Sequence, residues 1–224
     1  MSWHGRTPAQ ISQYGYFQIT DTETHDNCTE IYNVLSGLGW TLNAICGFIG
    51  NCAFESVYNP WSWESNQPLA STDTYLIDNS LTHGYGLSGF TPSGKYLHYP
   101  QSMSSPYYAP CFTDTVSTLD PNNAIDGIAQ LERVNVGDNA VYVAREPVTF
   151  QQYINSTDIV ARLTYVWMRN HENPASYSSL QDRINAAEYW YQVLSGGTPP
   201  TPPTPIPITS SRKMPLWMML RYYP

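Results

Sequence analysis

The sequence predicts an α+β fold that is mainly α-helical. On both sides of a polar central stretch, apolar residues recur at three- and four-residue steps, the period of helices that face a core. From Tyr58 to about Pro110, by contrast, Ser, Thr, Asn, Gly and Pro are dense and apolar runs are short, which is typical of loops with a small antiparallel sheet. With 224 residues, the chain is long enough for one domain with a sizeable core and an appendage.

Two helices are predicted before the central stretch. The first runs from about Asp26, which can cap its N-terminus, to Leu38, and Gly39 ends it. The second begins after Thr41, another N-cap residue, and ends at Glu55. Because almost no residue of the second helix is charged, we expect it to be buried on nearly all sides.

Four further helical segments are predicted after the central stretch, each from apolar residues at helical spacing. They are Ala124–Val134; Thr149–Ile154, begun by a Thr cap; a longer helix capped by Ser156 or Thr157 that ends near Asn170–Pro174; and a last helix from about Leu180 to Leu194, ended by Gly196 and Gly197.

Glu55 is the one ionisable residue of the second helix, and it lies in the last turn. A carboxylate there faces the negative end of the helix dipole, and apolar neighbours remove water from it, so both effects favour the protonated form. A carboxylic acid that keeps its proton near neutral pH is what general-acid cleavage of a glycoside requires. The segment therefore predicts a general acid at Glu55, against the simpler alternative of an exposed residue at a helix end.

The composition argues against several classes of function. With 10 basic against 18 acidic residues, no basic stripe is available to bind a nucleic acid. Aromatic residues make up 14%, which suits surfaces that stack on sugar rings and equally suits packing against protein. The four cysteines show no Cys-x-x-Cys pairing, so we expect neither a zinc site nor another cofactor; they are Cys28, Cys46, Cys52 and Cys111.

The residues around Glu55 belong to a longer pattern. It comprises Gly47-x-x-Gly50-Asn51-x-x-x-Glu55-Ser56, then Asn59-Pro60, Gly84-x-Gly86-Leu87 and Phe90-Thr91-Pro92. This order of motifs resembles the signature of the phage tail lysozyme family. Two later motifs resemble the same family: Glu172-Asn173-Pro174, where members commonly have Tyr-Glu-Arg-Pro, and Arg183-x-x-Ala186-Ala187-x-x-Trp190. The resemblance covers roughly Cys28 to Leu194.

The resemblance implies a lysozyme-like fold in which a helical lobe and a small antiparallel β subdomain form a cleft. It implies a virion-associated glycoside hydrolase that cleaves the β-1,4 bonds of bacterial peptidoglycan, in the host cell wall or periplasm, during genome entry. Glu55 would be the general acid, and Glu64, 9 positions later, the second catalytic group. Asp73 and Asp78 are weaker candidates, and the substrate would be bound by Ser56, Trp63, Tyr85 and Phe90.

One departure and three alternatives accompany this interpretation. Family members commonly have Val-Gln where this chain has Ser88-Gly89, which removes a polar contact expected in the cleft. A lytic transglycosylase would use Glu55 alone as acid and base, and a non-catalytic tail protein would keep only the fold. A thiol peptidase would pair Cys46 or Cys52 with His83 or His98, although a nucleophilic Cys is favoured at a helix N-terminus rather than in mid-helix.

The predicted organisation has four parts: an N-terminal arm over 1–25, the lysozyme-like domain over 26–195, a Pro-rich linker over 196–210 and a C-terminal segment over 211–224. That last segment is apolar and basic, too short to span a bilayer and too apolar to stay exposed. We expect it to anchor the enzyme to another tail protein, with the host membrane interface as the second option. The start of the sequence lacks the pattern of a signal peptide, so the virion or lysis would deliver the enzyme to the wall.

Overall fold

The computed structural model describes residues 3–5, 19–60, 62, 84–91, 94–97, 127–139, 141–174 and 176–197. These residues form a mainly helical domain, as predicted. Its elements are α1 (Asp21–Gly37), α2 (Leu42–Glu55), α3 (Gly94–Leu97), α4 (Gly127–Asn135), α5 (Phe150–Ile154), α6 (Val160–Trp167), a π-helical turn (Met168–Glu172) and α7 (Leu180–Leu194).

The described residues do not form the predicted antiparallel β subdomain. Within the described ranges, β pairing consists of one antiparallel bridge between Tyr85 and Phe90. Most of the stretch from Tyr58 to Pro110 lies outside the described residues, and so does the C-terminal segment 211–224. None of the described helices is long and apolar enough to cross a membrane.

Helix α1 begins five residues earlier than predicted, so residues 21–25 belong to the helix rather than to an arm. Its N-cap is Thr20, whose hydroxyl accepts a hydrogen bond from the backbone of Glu23 while the Glu23 carboxylate accepts one from the backbone of Thr20. This reciprocal capping box satisfies two amide groups that the start of a helix leaves unpaired. At the other end Gly39, with φ of +89°, stops the helix as predicted.

Helix α2 lies at the centre of the domain and packs against α1, α6 and α7. Thr41 caps it, and all ten residues from Ala44 to Ala53 are buried, as predicted from the near absence of charge. Two glycines allow the neighbouring helices to approach closely. A Cβ atom at Gly50 would lie 2.5 Å from the Arg183 carbonyl oxygen of α7, and one at Gly47 would lie 3.0 Å from the backbone of Leu163 in α6.

The helices after the gap largely follow the prediction. Helix α4 ends one residue later than predicted, at Asn135, and the predicted start at Ala124 lies outside the described residues. Thr149 caps α5, and α7 has the predicted bounds. The N-cap of α6, however, is Ile159, without a capping side chain, rather than Ser156 or Thr157. The Ser156 hydroxyl instead accepts a hydrogen bond from the backbone of Asp158 in the preceding turn.

The aromatic residues of the described part build the core. Ring centroids of Trp40 and Phe48 lie 6.0 Å apart, those of Phe48 and Trp167 5.1 Å, and those of Tyr153 and Trp167 5.3 Å. All four side chains are buried, so in this region the high aromatic content serves packing rather than a sugar-binding surface.

Candidate active site

The chain turns sharply directly after Glu55, the last residue of α2. Val57 and Tyr58 have φ angles of +50° and +61°, which is unfavourable for residues other than glycine and most of all for a β-branched one. Distant residues hold this turn in place: the Asn27 amide donates a hydrogen bond of 2.8 Å to the Tyr58 carbonyl, and the Trp190 indole donates one of 3.0 Å to the Tyr58 hydroxyl. Such overdetermined strain is frequent at functional sites.

The Glu55 carboxylate is bound by an arginine that also binds a second glutamate. Arg183 Nη2 donates to Glu55 Oε1 at 2.7 Å, and Nη1 lies 2.7 and 2.6 Å from the two carboxylate oxygens of Glu172. Nη1 also lies 2.8 Å from Asn51 Oδ1, one helical turn before Glu55. We call Glu55, Arg183 and Glu172 the acid–arginine–acid cluster. The sequence argument placed Glu55 alone among apolar neighbours, and the structure corrects this.

Within this cluster, Glu55 is the group that reaches the surface. Its side chain is 24% exposed, against 9% for Glu172 and 7% for Arg183. Burial raises the pKa of Glu172 well above its ordinary value of 4.5; Arg183 opposes this effect, and a hydrogen bond to the Glu55 carboxyl adds to it. Burial also disfavours the charge of Arg183, but Glu172 and Glu55 together raise the pKa of this guanidinium further.

A glycine turn, Gly84–Phe90, lies directly on the Glu55 carboxyl. A Cβ atom at Gly89, where φ is +61°, would stand 2.5 Å from Glu55 Oε2. The Gln common at this position in the family would therefore not fit beside the Glu55 carboxyl in its present place. The turn is held by Ser56 Oγ, 3.0 Å from the Leu87 carbonyl, and by Gln130 Oε1, which accepts from the Leu87 backbone at 2.8 Å.

His171 links the glycine turn to the π-helical segment through a hydrogen-bond contact. Its Nε2 lies 2.9 Å from the Ser88 carbonyl oxygen and its Nδ1 lies 2.5 Å from that of Val141. Burial lowers the pKa of His171, while the two carbonyl contacts work in the opposite direction. Because Glu172 follows His171 directly, the π-helical turn positions both the histidine that contacts the glycine turn and the buried acid. Helical irregularities of this kind are common at functional sites.

The structure describes three of the four predicted substrate-binding residues, and all three are buried at the glycine turn and the end of α2. Ser56, Tyr85 and Phe90 are 1%, 2% and 0% exposed, so in this structure their side chains support the turn and the end of α2 instead of facing solvent. Trp63 and Glu64 lie outside the described residues, as do Asp73 and Asp78.

Asn51, Glu172 and Arg183 are site residues that the sequence argument did not assign. A signal was present for Arg183: it shares a helical stripe with Ala187 and Trp190, both buried, and an arginine on a core-facing stripe requires a buried partner. Asn51 stands four residues before Glu55 and therefore on the same face of α2. Glu172 belongs to the Glu172-Asn173-Pro174 motif, but no local pattern indicates that it contacts Arg183, which lies 11 positions away on another element.

Comparison with known proteins assigns this arrangement to a family. The family model for phage tail lysozyme matches residues 26–194. The chain belongs to the phage tail lysozyme family. Among curated proteins, Morphogenesis protein 1 of Bacillus phage B103 is 28% identical over 172 residues, which cover 76% of this chain and 40% of that relative. The chain thus spans well under half of the relative's length. These matches support a lysozyme-like role in a phage and an association with the virion.

Four residues of the family motif have a physical role in this structure. Gly47 and Gly50 allow close helix packing, Asn51 binds Arg183, and Ser56 holds the glycine turn. Cys46 and Cys52 do not suit nucleophilic catalysis, because burial raises the pKa of Cys46 to about 12 and that of Cys52 well above its ordinary value. Their predicted partners in a thiol peptidase, His83 and His98, lie outside the described residues. Among the residues the structure describes, no group of three or more His, Cys, Asp or Glu side chains is placed to hold a metal ion.

Proposed function

We propose that this protein is a tail-associated muramidase, a glycoside hydrolase that opens bacterial peptidoglycan locally during genome entry. Glu55 is its general acid. The observation that supports this role is the asymmetry of the acid–arginine–acid cluster. Glu55 alone extends to the surface, while the groups that fix its position are buried. Its carboxyl oxygen also lies under a glycine, where the missing side chain leaves room for close approach.

In this mechanism Glu55 protonates the oxygen of the β-1,4 bond as that bond breaks. Glu172 does not act as the nucleophile across the sugar. It is 9% exposed, against 24% for Glu55, and Arg183 binds both of its carboxylate oxygens, so it is not available to a sugar bound at the surface. The water-activating group therefore comes from elsewhere, and Glu64 remains the candidate, with Trp63 beside it as a sugar-stacking residue.

The reaction products test this proposal. Purified wild-type protein should release new reducing ends from peptidoglycan, and Glu55→Gln should not. Glu146→Gln is the matched control, since it makes the same change at a glutamate that also pairs with arginine, through Arg162 at 3.3 Å. Anhydromuramyl ends without new reducing ends would identify a lytic transglycosylase. An absence of both products, with folded protein, would leave a structural role in the tail.

The C-terminal segment is proposed to attach the enzyme to the virion. We expect residues 211–224 to bind another tail protein, because a segment so apolar is unstable in water. Deleting residues 208–224 should lower incorporation into virions while leaving the specific activity on purified peptidoglycan unchanged. Normal incorporation of the shortened protein would contradict the anchor, and binding of the segment to anionic vesicles would favour the membrane interface.

A further inference from the structure

We propose that Glu172 is a positioning residue that shares one proton with Glu55, so that the general acid stays protonated at neutral pH. This inference rests on the proposed function and adds the origin of the acid's proton. The sequence attributes the proton of Glu55 to the helix end and to apolar neighbours. In the structure, a second carboxyl group and an arginine take over this role.

The charges of the cluster favour this proton. Two carboxylates and one guanidinium carry a net charge of −1, whereas one added proton makes the three groups neutral. Arg183 and Glu172 are 7% and 9% exposed, and burying a net charge is costly. Both carboxylates also bind the same guanidinium, Glu172 through Nη1 and Glu55 through Nη2, so they repel each other when both are charged. Geometry and burial therefore favour the singly protonated pair.

Apart from Arg183, no group that faces Glu172 from other described elements supplies a positive charge that could neutralise the second carboxylate in place of a proton. Glu55 and Cys52 face it from α2 and Arg183 from α7. Burial raises the pKa of Cys52, so its thiol stays neutral. The neighbouring His171 lies on the same π-helical turn, and burial lowers its pKa, which favours the neutral ring. Arg183 is thus the one permanent positive charge in contact with the two acids among the described residues.

The shared proton is the one that is transferred in the reaction, and no reagent other than water is needed. Glu55 passes it to the bridging oxygen as the sugar C–O bond breaks, which leaves two carboxylates beside Arg183. The extra negative charge appears as positive charge develops on the sugar ring, and the two attract each other. When water completes hydrolysis, its oxygen bonds to the sugar carbon and its proton passes to the water-activating group. Proton exchange with solvent then returns that group to its base form and restores the proton of the carboxyl pair.

Profiles of kcat/KM against pH test this inference. For the wild type, the alkaline limb should lie well above the ordinary range of a glutamate. In Glu172→Gln, which keeps the size and a hydrogen-bond acceptor for Arg183, this limb should move to lower pH by about one unit or more. Glu172→Asp retains a carboxyl and should recover most of the shift, and Glu146→Gln should follow the wild type.

A Glu172→Gln profile that is lower at every pH but unchanged in shape would overturn the inference, because a merely structural role predicts that result. If the wild type does not cleave peptidoglycan, the proposed function fails, and a second measurement still tests the proton. In protein labelled with 13C at the glutamate carboxyl carbons, one member of the pair should stay protonated to neutral pH. Independent titration of both carboxyls in the ordinary range of a glutamate would exclude a shared proton.

Discussion

The acid–arginine–acid cluster and the cluster around Glu146 contain the same kinds of group in opposite proportion. In the first, two glutamates bind one arginine, and the side chains of Glu172 and Arg183 are nearly inaccessible. In the second, Glu146 lies 3.3 Å from Arg162 and 3.7 Å from Arg169, and the two arginines are 38% and 29% exposed. The first has an excess of acid in the interior, and the second an excess of base near the surface.

The difference shows what each cluster can do. Water stabilises the charges around Glu146, so its ion pairs contribute little free energy and no proton is needed for neutrality. In the interior, the surplus carboxylate of the first cluster is compensated by a proton instead. A buried excess of acid therefore stores a proton beside Glu55, whereas the surface cluster joins α6 to the loop before α5.

The largest expected effect comes from removing the shared arginine. Arg183→Ala leaves the buried Glu172 and the partly exposed Glu55 without their cation, and it should lower the free energy of unfolding by about 3–5 kcal/mol. Arg162→Ala, the matched change in the exposed cluster, should cost about 0–1 kcal/mol. Chemical denaturation at neutral pH measures both.

The loss in Arg183→Ala should shrink under acidic conditions, where both glutamates carry protons and need no cation. Activity should be lost along with the position of Glu55. Equal losses of stability in the two arginine variants would contradict the contrast between the clusters.

A smaller effect is expected from adding one carbon atom above Glu55. In Gly89→Ala, the new Cβ atom would stand 2.5 Å from Glu55 Oε2, so the carboxyl or the turn must move. Overpacking of this kind should cost about 1–3 kcal/mol of stability, and the displaced acid should lower kcat by on the order of 100-fold.

The control for this variant is Gly37→Ala, where an added Cβ meets nothing within 4 Å. Its stability should be unchanged or higher by up to about 1 kcal/mol, since alanine favours a helix. Full activity in Gly89→Ala would show that the glycine turn does not constrain the acid. Measurements of kcat and of denaturation midpoints separate these outcomes.

The sequence predicts the local features of this fold well and the long-range ones poorly. Caps and stops at Thr41, Gly39 and Gly196 act within one turn of a helix, so their residues alone identify them. The start of α1 was missed although its signal, Thr20 with Glu23, is also local. Glu55 is singled out by its position and its motif, and its role as the general acid stays a prediction.

The partners of Glu55 could not be predicted in the same way. The contact between Glu55 and Arg183 joins residues 128 positions apart, and it depends on how closely α2 and α7 approach. That approach is set by Gly50, whose missing side chain brings the Arg183 backbone next to α2. Helical periodicity specifies which face is buried, but it does not specify which charged groups meet across the interface.

The dependence of stability on pH tests the shared proton most directly and needs no substrate. Between the ordinary Glu172 pKa of 4.5 and its raised value, the folded protein binds one proton more than the unfolded chain. The wild-type free energy of unfolding should therefore fall relative to that of Glu172→Gln as the pH rises, by up to about 1.4 kcal/mol per unit. His171, whose lowered pKa gives the opposite slope, is common to both proteins and cancels in the difference. Parallel curves, or a difference that grows with pH, would contradict the account.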